Sequence, residues 1–328
     1  MTEPEIRPFP VTTRDGVVLG GWLVRSVGTA RAVVLVRTPY DAQAHLPLAR
    51  SLARHGFDCL VQDVRGRYTS GGTWRPYATE AVDGIDTVDA LQQRCPRTPV
   101  VAYGASYAAH TALETARADR RVARVIALVP ALGAYETAYS VDGTPQHLDR
   151  LGWWAIHGFG RRAEPALAPE ILRAATAVAD RDGPVAAAAG LGWDAARLDA
   201  FGALWSTPPR DLPHHFGAVT APLLVVTGDA DPFDAYARRL AAAWGIRSGA
   251  GSALVSGPWG HDLGIGTSDP ALRAAYEAAG SPGRIVLRWL TDGVPATDQE
   301  LRLDVASRTW SERPLVTATE PAIERGHA

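Results

Sequence analysis

Short, largely apolar runs alternate with amphipathic segments along most of the chain, and this alternation is the strongest constraint on its fold. Runs such as Ala32–Val36, Val122–Val129 and Leu223–Thr227 have the length and composition of strands that are buried on both faces. Helical patterns lie between them, for example at residues 79–94 and 233–244. Alternating strands and helices imply a mostly parallel, doubly wound α/β sheet with helices on both faces.

The alternation stops between residues 133 and 215, a stretch rich in Ala, Gly, Trp and His. We therefore predict a core formed by residues 1–132 and 216–293, with 133–215 inserted as a helical cap. A cap at the carboxyl edge of the sheet would lie where such folds bind ligands. Within the core we predict an N-terminal hairpin and, at residues 269–292, a single helix. Residues 294–328 are predicted to form a tail with a remnant strand near Glu300–Val305 and a frayed end from 312.

Composition narrows the possible functions. A net charge of -2 and a pI near 6.5 give no electrostatic reason to expect a nucleic acid or a membrane as partner. The N-terminus has no basic and apolar leader, and no run of about 18 apolar residues occurs, so we expect a cytoplasmic protein. All 33 basic residues are Arg, which excludes chemistry that needs a lysine amine, such as a pyridoxal phosphate Schiff base. Cys59 and Cys95 lack a metal-ligand spacing, and we expect neither a metal nor a cofactor.

Gly104-Ala-Ser-Tyr-Ala108 lies where a predicted strand turns directly into a predicted helix. A sharp turn of this kind strains the serine and directs its hydroxyl outward, and small neighbours let the two backbones pass closely. Ser106 is therefore a candidate nucleophile. The alternative is a serine that only caps the helix, which is common after a glycine.

Two later strand ends supply candidate partners for Ser106. Leu223–Thr227 is followed by Gly228-Asp-Ala-Asp-Pro232, and Ala253–Ser256 by Gly257-Pro-Trp-Gly-His261. The order nucleophile, acid, histidine is that of α/β-hydrolases. Only His261 and His327 follow the acidic turn, so we predict His261 as the base. Asp231 is the predicted acid, with Asp229 and Asp234 as alternatives in the same turn.

Together with three earlier segments, these motifs resemble those of the cocaine esterase and X-Pro dipeptidyl-peptidase (CocE/NonD-like) group of α/β-hydrolases. The matching elements are Arg37-Thr-Pro-Tyr-Asp41, Gln62-Asp-Val-Arg-Gly-Arg67, Ser70-Gly-Gly72, Gly104-Ala-Ser-Tyr107 and Gly257-Pro-Trp-Gly-His261. The resemblance covers about residues 8–130 and 220–292 and implies the α/β-hydrolase fold.

The resemblance also implies roles for individual residues. Ser106, Asp231 and His261 correspond to the family's catalytic triad. The Tyr40 hydroxyl and the Tyr107 backbone N–H correspond to its oxyanion donors, although without this resemblance we would favour Tyr40 as a turn residue after Pro39. Members usually carry a C-terminal jelly roll, and since only 35 residues follow Gly293 we expect this domain to be lacking.

Four further side chains are candidates for a substrate pocket: His110, Trp153, Trp154 and Trp259. His110 lies one helical turn after Ser106, so it could face either the pocket or the core, and we favour the core. Most tryptophans of 133–215 are expected to pack within the cap, with one or two lining an apolar pocket.

These observations predict a serine hydrolase that cleaves an ester or amide bond of a small molecule through an acyl-enzyme. One alternative is non-hydrolytic acyl transfer, cyclisation or elimination on a biosynthetic intermediate. A second is a catalytically silent ligand-binding protein that keeps the fold. A homodimer is possible in any of these cases, although no particular residue indicates one.

Overall fold

A ten-stranded sheet organises the chain. A computed structural model describes residues 3–315. The strands are β1 (Ile6–Pro8), β2 (Val11–Thr12), β3 (Val18–Leu19), β4 (Gly21–Val24), β5 (Val33–Thr38), β6 (Asp58–Asp63), β7 (Val100–Ala105), β8 (Val122–Leu128), β9 (Leu223–Val226), β10 (Ser252–Ser256), β11 (Gln299–Asp304) and β12 (Thr309–Pro314). Spatially the main sheet runs β1-β4-β6-β5-β7-β8-β9-β10-β11-β12, while β2 and β3 pair separately.

Neighbouring strands from β6 to β11 pair in parallel, and antiparallel pairs occur only at the two edges of the described sheet. The predicted mostly parallel sheet is thus confirmed. Alternate residues of β5 enter two different apolar clusters, Val33 and Leu35 in one and Val34 and Val36 in the other. Both faces of the strand are therefore buried, which explains its continuous apolar sequence.

Helices cover both faces. They are α1 (Leu46–Arg54), α2 (Glu80–Arg94), α3 (Tyr107–Ala118), α4 (Ala134–Ala138), α5 (His147–His157), α6 (Pro169–Asp182), α7 (Pro184–Gly190), α8 (Ala195–Ser206), α9 (Leu212–Phe216), α10 (Asp234–Ala243), α11 (Pro270–Ala279) and α12 (Pro282–Asp292). A short 3-10 helix, Ala42–His45, precedes α1.

Residues 133–215, which we call the inserted segment, lie between β8 and β9 and contain helices from α4 to α9. The segment has an apolar cluster of its own, in which Trp154, Phe201 and Leu204 are buried. Neighbouring helices in this cluster contribute small residues such as Ala175 and Ala188, which lets them pack closely.

Two sequence predictions need correction. The helix predicted at residues 269–292 is broken into α11 and α12, because Gly280 has φ +93° and Pro282 begins a new helix. The predicted frayed end is also wrong in part, since Glu312–Pro314 belong to β12, which pairs with β11. The remaining residues of that predicted end, from 316 onward, lie outside the described part of the chain.

The charged side chains of Asp63-Val-Arg-Gly-Arg67 form no ion pair with one another in the described part of the chain. Asp63 accepts hydrogen bonds from the backbone N–H groups of Ala42 and Thr69. Arg65 instead pairs with Asp83. Each charge thus has a partner outside the motif.

Arg67 connects the loops at the carboxyl ends of β5 and β6 to the inserted segment. Its side chain is fully buried, and Nε donates to the carbonyl oxygen of Pro39 at 3.1 Å. Nη1 donates to the carbonyls of Phe159 and Gly160 at 2.8 and 2.7 Å. One guanidinium thus joins the loop after β5 to the turn after α5 through charge-assisted hydrogen bonds.

We predict that Arg67→Met lowers the free energy of unfolding by about 2–4 kcal/mol, because several buried carbonyls lose a charged donor. Urea denaturation of the two proteins measures this difference. The matched control is Arg173→Met, which removes the same charge from an exposed position on α6 and should change stability by less than about 0.5 kcal/mol. Equal stability of Arg67→Met and the wild type would contradict the anchoring role.

Candidate active site

Ser106 occupies the tight turn between β7 and α3. Its backbone has φ 56° and ψ -123°, a positive-φ conformation that is strained for any residue other than glycine. The turn is held by a hydrogen bond from the Ser106 N–H to the Leu128 carbonyl at 2.9 Å. A Cβ at Gly104 would lie 1.9 Å from the Ala108 carbonyl oxygen, so only glycine permits this crossing of strand and helix.

His261 and Asp231 reach Ser106 from two other turns. The distance from His261 Nε2 to Ser106 Oγ is 2.9 Å, and from His261 Nδ1 to Asp231 Oδ1 also 2.9 Å. A carboxylate only accepts hydrogen bonds, so Nδ1 carries the hydrogen and Nε2 is left to accept the serine proton. These three predicted residues are thus brought together in one hydrogen-bonded chain.

The neighbouring acids of the same turn have other partners. Asp229 forms ion pairs with Arg302 and Arg238, and Asp234 pairs with Arg238 one turn along α10. Asp231 alone of these three carboxylates faces His261, and it is buried. The geometry therefore favours Asp231 over the two alternatives that the sequence left open.

Tyr40 lies on the other side of Ser106. Its hydroxyl oxygen is 3.4 Å from Ser106 Oγ and accepts a hydrogen bond from the Trp153 indole Nε1 at 3.1 Å. Burial raises the pKa of Tyr40, so the phenol is neutral and keeps its hydrogen at neutral pH. The backbone N–H of Tyr107, at the start of α3, faces the same hydroxyl and opposes this rise in pKa. The Tyr40 hydroxyl, and the N–H of Tyr107 as the next residue along the chain, are thus two candidate donors near Ser106.

The Tyr107 side chain has a separate, structural role. Its hydroxyl donates to Glu80 Oε1 at 2.5 Å and accepts from the Tyr77 N–H at 2.6 Å. Burial raises the pKa of Tyr107 well above its usual value. These bonds fasten the first residue of α3 to the start of α2 and so support the turn that carries Ser106.

A cavity of about 320 Å³ opens beside Ser106 and His261. Its walls include five Tyr, Trp and Phe residues and two charged ones, namely Tyr40, Tyr77, Tyr107, Trp153, Phe233, Asp149 and Arg150. Mostly apolar walls with a few polar groups are typical of small-molecule sites. Trp153 is the one tryptophan among the sequence candidates that lines this cavity.

The other three pocket candidates lie elsewhere. Trp154 packs on Phe159 and Phe201 inside the inserted segment. Trp259 is buried against Tyr276 and the backbone of Gly257, where it supports the turn that carries His261. Both were proposed for the pocket as aromatic residues, but Trp154 packs within the inserted segment and Trp259 within the core.

His110 faces the core, the alternative that we favoured. It is buried, and its Nδ1 lies 2.8 Å from the Leu132 carbonyl oxygen, to which it donates. Glu114, one turn later on α3, is bonded to His215 and Arg210. These polar side chains bond beneath α3, and none of them lines the cavity.

Arg150, Tyr77 and Phe233 were missed by the sequence analysis. They come from three separate segments, and no motif connects them. Phe233 had a usable signal, since it follows Asp231-Pro232 directly. For Arg150 and Tyr77 no local pattern indicates that they face the nucleophile.

Among residues 3–315, no three His, Cys, Asp or Glu side chains cluster so as to hold a metal ion. In the same part of the chain, no helix combines the length and the apolar character needed to cross a membrane.

Comparisons with known proteins agree with this architecture. The sequence model of the X-Pro dipeptidyl-peptidase (S15) family matches residues 15–262. Cocaine esterase from Rhodococcus sp. (strain MB1 Bresler) is 27% identical over 283 residues, which cover 76% of this chain and 48% of the esterase. The chain thus spans about half the length of that curated relative.

Two solved structures share the fold. An aminopeptidase from a marine-sediment Thaumarchaeota archaeon has a TM-score of 0.67 at 20% identity, over 94% of this chain and 58% of its own. An α-amino acid ester hydrolase has a TM-score of 0.65 at 19% identity, over 97% and 59% respectively. The predicted α/β-hydrolase fold is therefore confirmed.

The burial of His110 makes stability depend on pH. Burial lowers the pKa of His110 from its usual 6.5 to about 4. The unfolded chain therefore takes up a proton between pH 6.5 and 4 that the folded protein refuses, and stability falls as the pH decreases through this window. We predict that this histidine accounts for a loss of about 3 kcal/mol.

Urea denaturation at pH 6.5 and pH 4 tests this prediction in the wild type and in His110→Asn. The asparagine amide can still donate to the Leu132 carbonyl but does not titrate. We expect the wild type to lose about 3 kcal/mol more than the variant over this interval. The same pH dependence in both proteins would contradict the assignment.

Proposed function

The chain belongs to the X-Pro dipeptidyl-peptidase (S15) family, and on that premise we propose that it is a serine hydrolase that cleaves an ester or amide bond of a small molecule. The observation that carries the proposal is the hydrogen-bonded chain from Ser106 through His261 to Asp231. Hydrolytic chemistry also fits the similarity to cocaine esterase.

In the proposed reaction His261 Nε2 takes the Ser106 proton while Oγ attacks the carbonyl carbon of the substrate. Asp231 holds the Nδ1–H tautomer and stabilises the imidazolium that forms. The imidazolium then gives its proton to the leaving group, and an acyl-enzyme remains on Ser106. Water, deprotonated by His261, then attacks this acyl group; the bond to Ser106 Oγ breaks as the imidazolium returns the proton to Oγ, and the carboxylic acid is released.

The oxyanion of each tetrahedral intermediate would be stabilised by Tyr40 and by the Tyr107 N–H. Trp153 donates to the Tyr40 oxygen, so the phenol hydrogen is free to point toward the oxyanion. Trp153 is thus a positioning residue that comes from the inserted segment. Tyr107 begins α3, so its N–H has no partner within the helix, and the positive end of the helix dipole lies at the same place.

We further propose that the inserted segment acts as a cap over the carboxyl edge of the sheet. It contributes Trp153 and Arg150 to the cavity, while the core contributes Ser106, His261 and Tyr40. A cavity of about 320 Å³ suits a small molecule, which agrees with the predicted class of substrate.

We predict that Ser106→Ala lowers kcat by at least about 10³-fold, because the nucleophile is removed. Hydrolysis of 4-nitrophenyl esters measures the rate. A fluorophosphonate probe should add one adduct to the wild type by intact-mass analysis and none to Ser106→Ala. Activity of the variant within tenfold of the wild type would refute the assignment, and a folded wild type that takes no adduct would favour a silent ligand-binding protein.

We predict that Tyr40→Phe lowers kcat by about 10²–10³-fold with a smaller change in KM, because the lost hydroxyl binds the oxyanion only in the transition state. The variant should still react with the fluorophosphonate probe, though more slowly. The matched control is Tyr139→Phe, which removes a hydroxyl bonded to the Trp205 carbonyl inside the inserted segment, away from the cavity, and should leave kcat unchanged. Equal rates for Tyr40→Phe and the wild type would contradict the role of Tyr40.

A further inference from the structure

Arg150 is a buried cation with no polar partner in the part of the chain that the structure describes. The residue is 5% exposed, and its Nε is shielded from solvent without a hydrogen bond. No carboxylate of residues 3–315 lies within 4.0 Å of its guanidinium nitrogens. Its neighbour Asp149 also lines the cavity but is exposed and forms no ion pair with it.

Such a charge is costly to bury. A guanidinium remains protonated at any ordinary pH, and removing it from water without a counter-charge is strongly unfavourable. The two other buried arginines of residues 3–315 do have partners, since Arg37 is bonded to Gln62 and the Glu80 carbonyl, and Arg67 to several carbonyls. The Arg150 guanidinium instead lies over the face of the Phe233 ring, 5.6 Å from the ring centre.

The position of Arg150 indicates what could supply the missing counter-charge. It lines the same cavity as Ser106 and His261. It also lies three residues before Trp153 on α5, so both side chains are on one face of that helix. Trp153 is bonded to Tyr40, which keeps this face of α5 directed toward the nucleophile. A group paired with Arg150 would therefore be part of whatever occupies the cavity.

We propose that Arg150 binds a carboxylate of the substrate, so that the ester or amide attacked by Ser106 belongs to a molecule that also carries a negative charge. This inference rests on the proposed function. The planar guanidinium matches a carboxylate with two parallel hydrogen bonds, which gives both affinity and orientation. A charged group at this point would hold the scissile carbonyl beside Ser106 Oγ.

The carboxylate could lie on the acyl side or on the leaving group, and two matched pairs of substrates separate these cases. On the acyl side, mono-4-nitrophenyl adipate is compared with 4-nitrophenyl hexanoate, its neutral counterpart of equal chain length. On the leaving side, 3-acetoxybenzoate is compared with phenyl acetate. The measured quantity is the ratio of kcat/KM for the anionic ester to that for the neutral ester.

In at least one pair we expect Arg150→Met to lower this ratio by about 30-fold or more relative to the wild type, the loss typical of a hydrogen-bonded charge. Arg173→Met, which removes an exposed charge from the same inserted segment, should leave the ratio unchanged. An unchanged ratio in Arg150→Met for both pairs would overturn the proposal. That result includes an equal loss of kcat/KM on both esters of a pair, which would mean that Arg150 acts on Tyr40 rather than on the substrate.

Direct binding provides a second readout. In Ser106→Ala, quenching of tryptophan fluorescence should show that mono-4-nitrophenyl adipate or 3-acetoxybenzoate binds at least about 30-fold more tightly than its neutral counterpart. Adding Arg150→Met, or Arg150→Gln if the first variant does not fold, should abolish this difference. Equal affinities in Ser106→Ala itself would overturn the proposal.

These measurements separate the two proposals. Hydrolysis by Ser106→Ala at the wild-type rate would remove the proposed function, while Arg150-dependent binding of the anion would still support the carboxylate site. Loss of hydrolysis in Ser106→Ala without any preference for the anion would support the proposed function alone.

Discussion

The backbone of β7 passes the first turn of α3 so closely at Gly104 that no side chain fits between them, and the rest of the site depends on this crossing. It holds Ser106 at φ 56°, which turns the hydroxyl toward the cavity. It also places Tyr107 at the first position of α3, where a backbone N–H has no partner within the helix. The hydrogen bond from the Ser106 N–H to the Leu128 carbonyl connects this strained turn to β8, the neighbouring strand. Packing of the sheet therefore offsets the conformational strain at Ser106.

The site is assembled from two parts of the chain that have separate apolar clusters. The core carries Ser106, His261 and Asp231 at the ends of three parallel strands, while the inserted segment adds Trp153 and Arg150 from one helix. Buried polar contacts join the two parts. Besides the Trp153 bond to Tyr40, Arg67 reaches from the loop after β6 to carbonyls near Phe159. The geometry around the serine therefore depends on how the inserted segment docks on the core.

Residues that look equivalent in the local sequence differ in whether they line the cavity or are buried in the interior. Trp153 and Trp154 are adjacent, yet successive residues of a helix point about 100° apart, so one lines the cavity and the other packs inside the inserted segment. His110 lies one turn from Ser106 on α3, but its ring donates to the Leu132 carbonyl beneath the helix. Which side a helical residue faces is decided by what packs against that helix, and the sequence of one helix does not contain this information.

The sequence by itself determined the α/β architecture and the three strand ends that carry Ser106, Asp231 and His261. These features are local, because apolar periodicity and turn residues depend on neighbours along the chain. Only the tertiary structure decided that Asp231 faces the histidine and that Arg150 lines the cavity without a polar partner among residues 3–315. These are contacts between segments far apart in sequence, and they follow from packing, which no local pattern records.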